Sequence, residues 1–223
     1  MENATNFFRL DGDVVQKDGD DALIVKTVGY GLDGQEYPRL LKVIMPVKEL
    51  LDAIVEGGKY RFMGELHKAP AEEATLVADP EQTFVLDKDA DYFNLGQVFG
   101  SLYQKSFTAA KPDKGKPQFI NLLVKVGKML FTGVAFRGLC TTLKANAAEG
   151  SKLRIGGRLQ RRAFNDDSGR YATEIICQED YTEVVEPVDP AEAFAPTTGK
   201  KLAIPSGPKH SGKTKAAKKT KAI

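Results

Sequence analysis

Two short stretches of this chain repeat each other. Residues 56–66 read EGGKYRFMGEL and residues 149–159 read EGSKLRIGGRL; at an offset of 93 they agree at 6 of 11 positions. A repeat of this spacing in a chain of 223 residues implies two copies of one supersecondary unit, each large enough to enclose a core of its own. In both copies a Glu-Gly turn ends a helical pattern and opens a strand, so the match marks the same junction twice.

Reading outwards from that junction gives the rest of the unit. In the first copy, residues 7–15, 22–30 and 40–45 alternate or run apolar as strands. Pro46 opens a short helix over 47–55, and strands follow over 59–66 and over 74–78 with 83–86. In the second copy, residues 92–107, 118–126 and 129–136 are strands, 137–148 is the helix, and 149–184 is a closing hairpin. Strand, strand, strand, short helix, strand, strand is the order of an OB-fold barrel. The expectation is a mainly β chain of two tandem OB-fold barrels, residues 1–91 and 92–184, each with a short helix between its third and fourth strands. An acidic, Pro-rich linker (185–198) and a disordered Lys-rich tail (199–223) follow.

Charge separates the copies. Residues 1–91 hold 10 basic and 19 acidic side chains, whereas residues 92–178 hold 14 basic and 5 acidic. Residues 179–197 hold 6 acids and no base, and the final 26 residues hold 8 lysines and no acid. Basic blocks in a nearly neutral chain are candidate contacts for a polyanion. The basic charge of the second copy coincides with its closing hairpin. There Leu153, Ile155 and Leu159 alternate with Arg154 and Arg158, and Arg161, Arg162 and Phe164 precede the turn NDDSG, with Arg170 and Tyr171 after it. Cations beside a flat ring at a strand tip suit a phosphodiester chain with unstacked bases.

The hairpin also resembles that of a known family. EGSKLRIGGRLQRRAFNDDSGRYATEI is similar to the last hairpin of the bacterial-type single-stranded DNA-binding proteins, and residues 131–143, FTGVAFRGLCTTL, resemble their third strand and connecting helix. The resemblance implies an OB fold that coats single-stranded DNA with little sequence preference during replication or recombination. It implies base stacking by Phe136 and Phe164, with Phe131 near a further stacking position or else in the core. Backbone tracking falls to Lys125, Arg154, Arg158, Arg161 and Arg162, with Tyr171 beside them. In the tail, Lys213, Lys215, Lys218 and Lys219 would add salt-sensitive attraction without reading sequence. Two features depart from the family: the chain has no tryptophan, and lysines replace the family's acidic tail. The barrel is also present twice, and a chain of two barrels could form a homodimer of four.

Other functions find less support. Two isolated cysteines, Cys140 and Cys177, read as reduced core residues, and His67 and His210 are the only histidines, so no metal, cofactor or catalytic constellation is expected. Residues 29–34 match the dinucleotide pattern GxGxxG but lead into a strand where a helix is required. Residues 207–214 match the phosphate-binding loop GxxxxGKT, but within the Lys-rich tail, without its strand and helix. No apolar run reaches the ~20 residues of a membrane span, and the N-terminus lacks the basic and apolar regions of a signal peptide, so a cytoplasmic location is expected. RNA binding, or a protein-interaction role for the acidic first copy, are the alternatives.

Overall fold

A computed structural model describes residues 6–30, 35–68, 72–111, 117–164 and 170–188. The tail lysines and the phosphate-loop pattern lie outside these residues, as do residues 31–34 of the GxGxxG pattern and the loop 165–169 of the hairpin. The chain is mainly β. The first half contains β1 (Asn6–Lys17), β2 (Ala22–Tyr30), β3 (Glu36–Ile44), α1 (Lys48–Ala53), β4 (Lys59–His67) and β5 (Thr75–Val85). The second contains β6 (Phe93–Thr108), β7 (Phe119–Val126), β8 (Met129–Phe136), α2 (Arg137–Asn146), β9 (Lys152–Ala163), β10 (Tyr171–Cys177) and β11 (Glu183–Glu186).

Pairing follows the same circuit in each half. β1 pairs antiparallel with β2 and β4, β2 with β3, β4 with β5, and β3 runs parallel to β5. β6 pairs antiparallel with β7 and β9, β7 with β8, β9 with β10, and β8 runs parallel to β10. Alternate residues of these strands point inward, giving a core that includes Phe8, Leu10, Leu41, Phe62 and Leu76 in the first half. Phe131, Leu122, Val124, Leu153, Ile155 and Ile175 do the same in the second. Each such side chain contributes about 1.5–3 kcal/mol by leaving water. Leu51 on α1, and Leu139, Cys140 and Leu143 on α2, bury the inner stripe of the two helices.

The repeat extends to details that the eleven matched residues only hint at. Gly57 and Gly150 both take left-handed φ, 81° and 92°, where a side chain would be strained. Gly64 and Gly157 both lie where a Cβ would collide with a neighbouring carbonyl, that of Val77 in one half and Ile176 in the other. The Asn6 side chain donates to Leu66 O (2.6 Å) and accepts from Leu66 N–H (3.1 Å); Asn94 does the same with Leu159, at 2.9 Å both ways.

β1 and β6 pair antiparallel and join the halves into one eleven-stranded sheet. Asp11 is 2% exposed in its side chain and accepts from Arg9 (2.6 Å) and Arg61 (3.0 Å), while Arg9 also lies 4.2 Å from the centre of the Phe93 ring. Burial pushes the Asp11 carboxyl up, but the bonds and charges of the two arginines outweigh it and hold the pKa below the usual value. Tyr92 donates to Asp13 at 2.5 Å, which with burial raises its pKa to about 12, and Lys59 holds the connecting segment through Ala90 O and Lys88 O.

Two expectations change. The fifth strand, anticipated in two pieces, is the single strand β5, its register with β4 shifting between Phe62 and Gly64. The anticipated boundary at residue 184 falls inside β11, which pairs with β9 and carries regular structure to Glu186.

Candidate nucleic-acid interface

Period-2 alternation sorts the second half into two faces, and the register assembles the outer one. β7 and β8 form a hairpin with Val126 opposite Met129, so Phe119 lies opposite Phe136 and Asn121 opposite Val134. The parallel pairing of β8 with β10 places Val134 beside Ile176, and β9 places Arg158 opposite Ile176 and Gln160 opposite Glu174. Phe119, Asn121, Val134, Phe136, Ile176, Glu174, Arg158, Gln160 and Arg162 thus share a surface, which with Arg39 of β3 lines a cleft of about 500 Å³.

The cleft joins flat apolar rings to cations. The Phe119 and Phe136 rings are tilted at 45° with centroids 6.0 Å apart, a geometry that adds about 0.5–1.5 kcal/mol to their burial while each keeps partial exposure. Directly after Phe136, Arg137 takes φ 53°, a left-handed turn that takes the chain from β8 into α2 and fixes where the ring stands. Arg162, 49% exposed, donates to Glu174 at 2.8 Å, and this bond with the carboxylate charge raises its pKa. Arg158 titrates lower than usual, first because it is buried and then because Arg39 is close.

The other expected site residues are distributed around this cleft. Phe164, 40% exposed, stands at the hairpin tip with the Arg170 guanidinium 5.2 Å from its ring centre. Tyr171, 43% exposed, lies under Arg161 at 3.8 Å. Lys125 is exposed on the same face of β7 as Asn121 and Phe119, towards the strand's far end, roughly 20 Å from Phe119 at ~3.3 Å per residue. Arg161 bonds Glu73 of the first half (2.8 Å), which also accepts from Thr173 (2.6 Å), so this arginine fastens the halves together. Arg154 lies beyond Gly156, where Thr182 exchanges hydrogen bonds with the Gly156 backbone, and it pairs with Glu183 of β11 outside the cleft. Phe131 is 1% exposed and belongs to the core. A ring without an open face cannot stack on a base, so its expected stacking role is withdrawn. Cys140 and Cys177 are free, buried thiols; burial raises both pKa values, that of Cys177 to about 12.

Sequence reasoning did not name Phe119, Asn121, Gln160 or Arg39. Phe119 and Asn121 follow from register, since the two-residue turn Gly127-Lys128 sets Phe119 against Phe136, and Gln160 follows from the pairing of β9 with β10 opposite Glu174. Arg39 comes from the other half of the chain, and no local pattern points to it. Among the described residues no group of His, Cys, Asp and Glu could hold a metal ion, and no helix is long and apolar enough to cross a membrane.

The architecture is a mainly β fold of the OB, single-stranded-DNA-binding-protein type. In particular, it is similar to the crystal structure of the wild-type single-stranded DNA binding protein from Thermus aquaticus, with a TM-score of 0.63 and 17% identity over 82% of this chain and 93% of that one. A deletion mutant of the same protein matches with a TM-score of 0.61 and 18% identity over 85% of this chain and 97% of that one. The sequence matches no family profile and no curated protein.

Proposed function

We propose that the chain is a non-catalytic single-stranded DNA-binding protein of two tandem OB barrels, residues 1–91 and 92–186, whose second barrel holds the strand. The observation that carries this reading is the cleft itself, where the tilted pair Phe119 and Phe136 stands beside Arg158 and Arg162 on one sheet face. Bases stack on the two rings, and on Phe164 and Tyr171 at the hairpin tip. Arg158, Arg162 and Lys125 follow the backbone. Stacking contributes about 1–3 kcal/mol per base and accepts any base, so sequence preference is weak. The lysines Lys213, Lys215, Lys218 and Lys219 add attraction that falls with salt. The similarity in fold to a protein named for binding single-stranded DNA supports the same ligand. Coating of DNA strands exposed in replication or recombination, in the cytoplasm, follows, and pairing of two chains would bring four barrels to one strand.

The test is fluorescence anisotropy of a labelled 30-nucleotide oligo-dT across a salt series, with an oligo-U competitor. Wild type binds tightly at low salt, and Phe119→Ala with Phe136→Ala weakens binding at least tenfold. A chain ending at Thr198 keeps the cleft but gives a shallower salt slope. No binding by wild type at low salt overturns the reading, and stronger competition by oligo-U than by oligo-dT turns it to RNA.

A further inference from the structure

Of the polar side chains described in the lining of the cleft, Glu174 is the most deeply set, at 8% exposed, and its charge opposes a polyanion. Its two oxygens differ. Oε1 accepts from Arg162 Nε (3.3 Å) and Nη2 (2.8 Å), whereas Oε2 meets no hydrogen-bond donor among the described residues. A nearly buried carboxylate oxygen without a donor costs stability, and a donor that enters the cleft removes that cost. The register shows what lies beside it. β8 and β10 set Thr132 beside Glu174 and Val134 beside Ile176, and β9 sets Gln160 opposite Glu174. Val134 and Ile176 therefore form an apolar floor between the ring pair at one end and Glu174 with Gln160 at the other. Thr132 and Phe136 are four residues apart on β8, so Glu174 stands roughly 13 Å along the sheet from the Phe136 position at ~3.3 Å per residue.

We infer that Glu174 reads the edge of one base, accepting a hydrogen bond from an exocyclic amino group, so that this one position favours cytosine over thymine or uracil. The inference rests on the proposed single-stranded DNA binding and adds a base preference at a single place in the cleft. A nucleotide next to the one on the rings lies on the floor of Val134 and Ile176 and turns its pairing edge to Glu174. Cytosine presents its N4 amino group there, a donor that a carboxylate accepts. Thymine and uracil present O4 instead, and two acceptors then face each other. The Gln160 amide carries both a donor and an acceptor, so it pairs with either edge and does not discriminate. Arg162 holds Oε1 in place and offsets the charge that would otherwise repel the phosphates. Stacking on the rings stays indifferent to the base, which confines the preference to this position.

The experiment measures binding of the full chain, wild type and Glu174→Gln, to oligo-dC and oligo-dU of one length at neutral pH. These oligomers differ only at the pairing edge, and comparing two proteins on the same pair cancels differences in strand stiffness. Wild type is expected to bind oligo-dC about tenfold more tightly than oligo-dU, the effect of one hydrogen bond to a charged acceptor, and Glu174→Gln to bring the ratio close to one. A third oligomer carries 2-pyrimidinone, cytosine without its amino group, and wild type should lose the same factor on it. That comparison uses wild type alone, so it decides the matter even where the variant does not fold. Equal wild-type affinity for oligo-dC and the 2-pyrimidinone oligomer overturns the inference and leaves the proposed function standing. So does a variant that strengthens binding to oligo-dC and oligo-dU alike, which makes Glu174 only a repulsive charge. A variant that weakens both alike overturns it too, because Glu174 then only supports Arg162. Failure of wild type to bind any of the oligomers at low salt removes the proposed function and the inference together.

Discussion

Where the second half carries Phe136, the first carries Pro46; where the second has Arg158, Gln160 and Glu174, the first has Glu65, His67 and Thr75. These positions correspond because Ile44 beside Val77 in one half matches Val134 beside Ile176 in the other, and because Gly64 and Gly157 press on those same strands. Inward positions have kept their chemistry, with Leu41 and Phe131 at matching places and both buried. The outward ones have not. One set of strand pairings thus supports a face with Pro46, Glu65, His67 and Thr75 in one half and a face of rings and arginines in the other, because a sheet's two surfaces answer to different constraints. The inner surface must fill a closed space; the outer one is free to be specialised.

The largest effect should come from inward positions, and it should be alike in both halves. Phe131→Ala is expected to cost about 3–5 kcal/mol and Leu41→Ala about 2–5 kcal/mol of stability in urea melts. A mild effect at one and not the other would mean that the cores are not equivalent. The outward pair should separate the halves: Phe136→Ala weakens oligo-dT binding by about 1–3 kcal/mol, whereas Pro46→Ala leaves it unchanged. Equal losses would show that the first half also holds the strand.

How far the chain's own letters led depends on which of these faces a residue occupies. The strands 22–30 and 129–136 could be read to the residue, since turn signals bound their apolar positions. Parity was also available and would have settled one point. Phe131 and Phe136 are five positions apart on one strand, so they must face opposite ways, and both cannot stack on bases. The family resemblance favoured ring-bearing positions and did not weigh that alternation. β11 was harder to see: its four residues hold only Val184 and Val185 as apolar side chains within an acidic stretch, and its pairing with β9 is tertiary. Arg161 was legible as a cation at a strand tip, but its partner Glu73 belongs to the other half. Arg39 was out of reach for the same reason, for only the folded chain brings β3 against the second half's cleft.

The joint between the halves titrates in acid through Asp11 of the first half. Asp11 stands opposite Arg61, while Phe99 takes the matching place opposite Arg154. Because the folded-state pKa of Asp11 is lowered, its contribution is fully present above the unfolded value near ~3.9 and is lost as pH falls through the folded value. Asp11→Asn should therefore cost about 2 kcal/mol at neutral pH, with the difference from wild type shrinking below about pH 4. A difference that stays constant into acid would assign the cost to packing.

The smallest predicted effect concerns the one arginine that the repeat itself conserves between the halves. Arg61 and Arg154 occupy the same place in the matched segments, yet Arg61 meets a buried carboxylate and Arg154 meets Glu183, about half exposed like itself, on a strand without a separate counterpart among the described residues of the first half. The position fixes where the guanidinium starts; the surroundings decide what its ion pair contributes. Water and salt screen the Arg154–Glu183 pair, so Arg154→Gln should change stability by no more than about 0.5 kcal/mol. It should leave oligo-dT affinity unchanged, since Arg154 lies outside the cleft. Arg61→Gln removes one of two donors to Asp11, but Arg9 remains bonded to that carboxylate, which limits the loss to about 1 kcal/mol. Double-mutant cycles for Arg61 with Asp11 and for Arg154 with Glu183 measure the two couplings directly. A larger coupling for the exposed pair would mean that β11 is held mainly by charge, and that this added strand, more than the shared circuit, sets the stability of the second half.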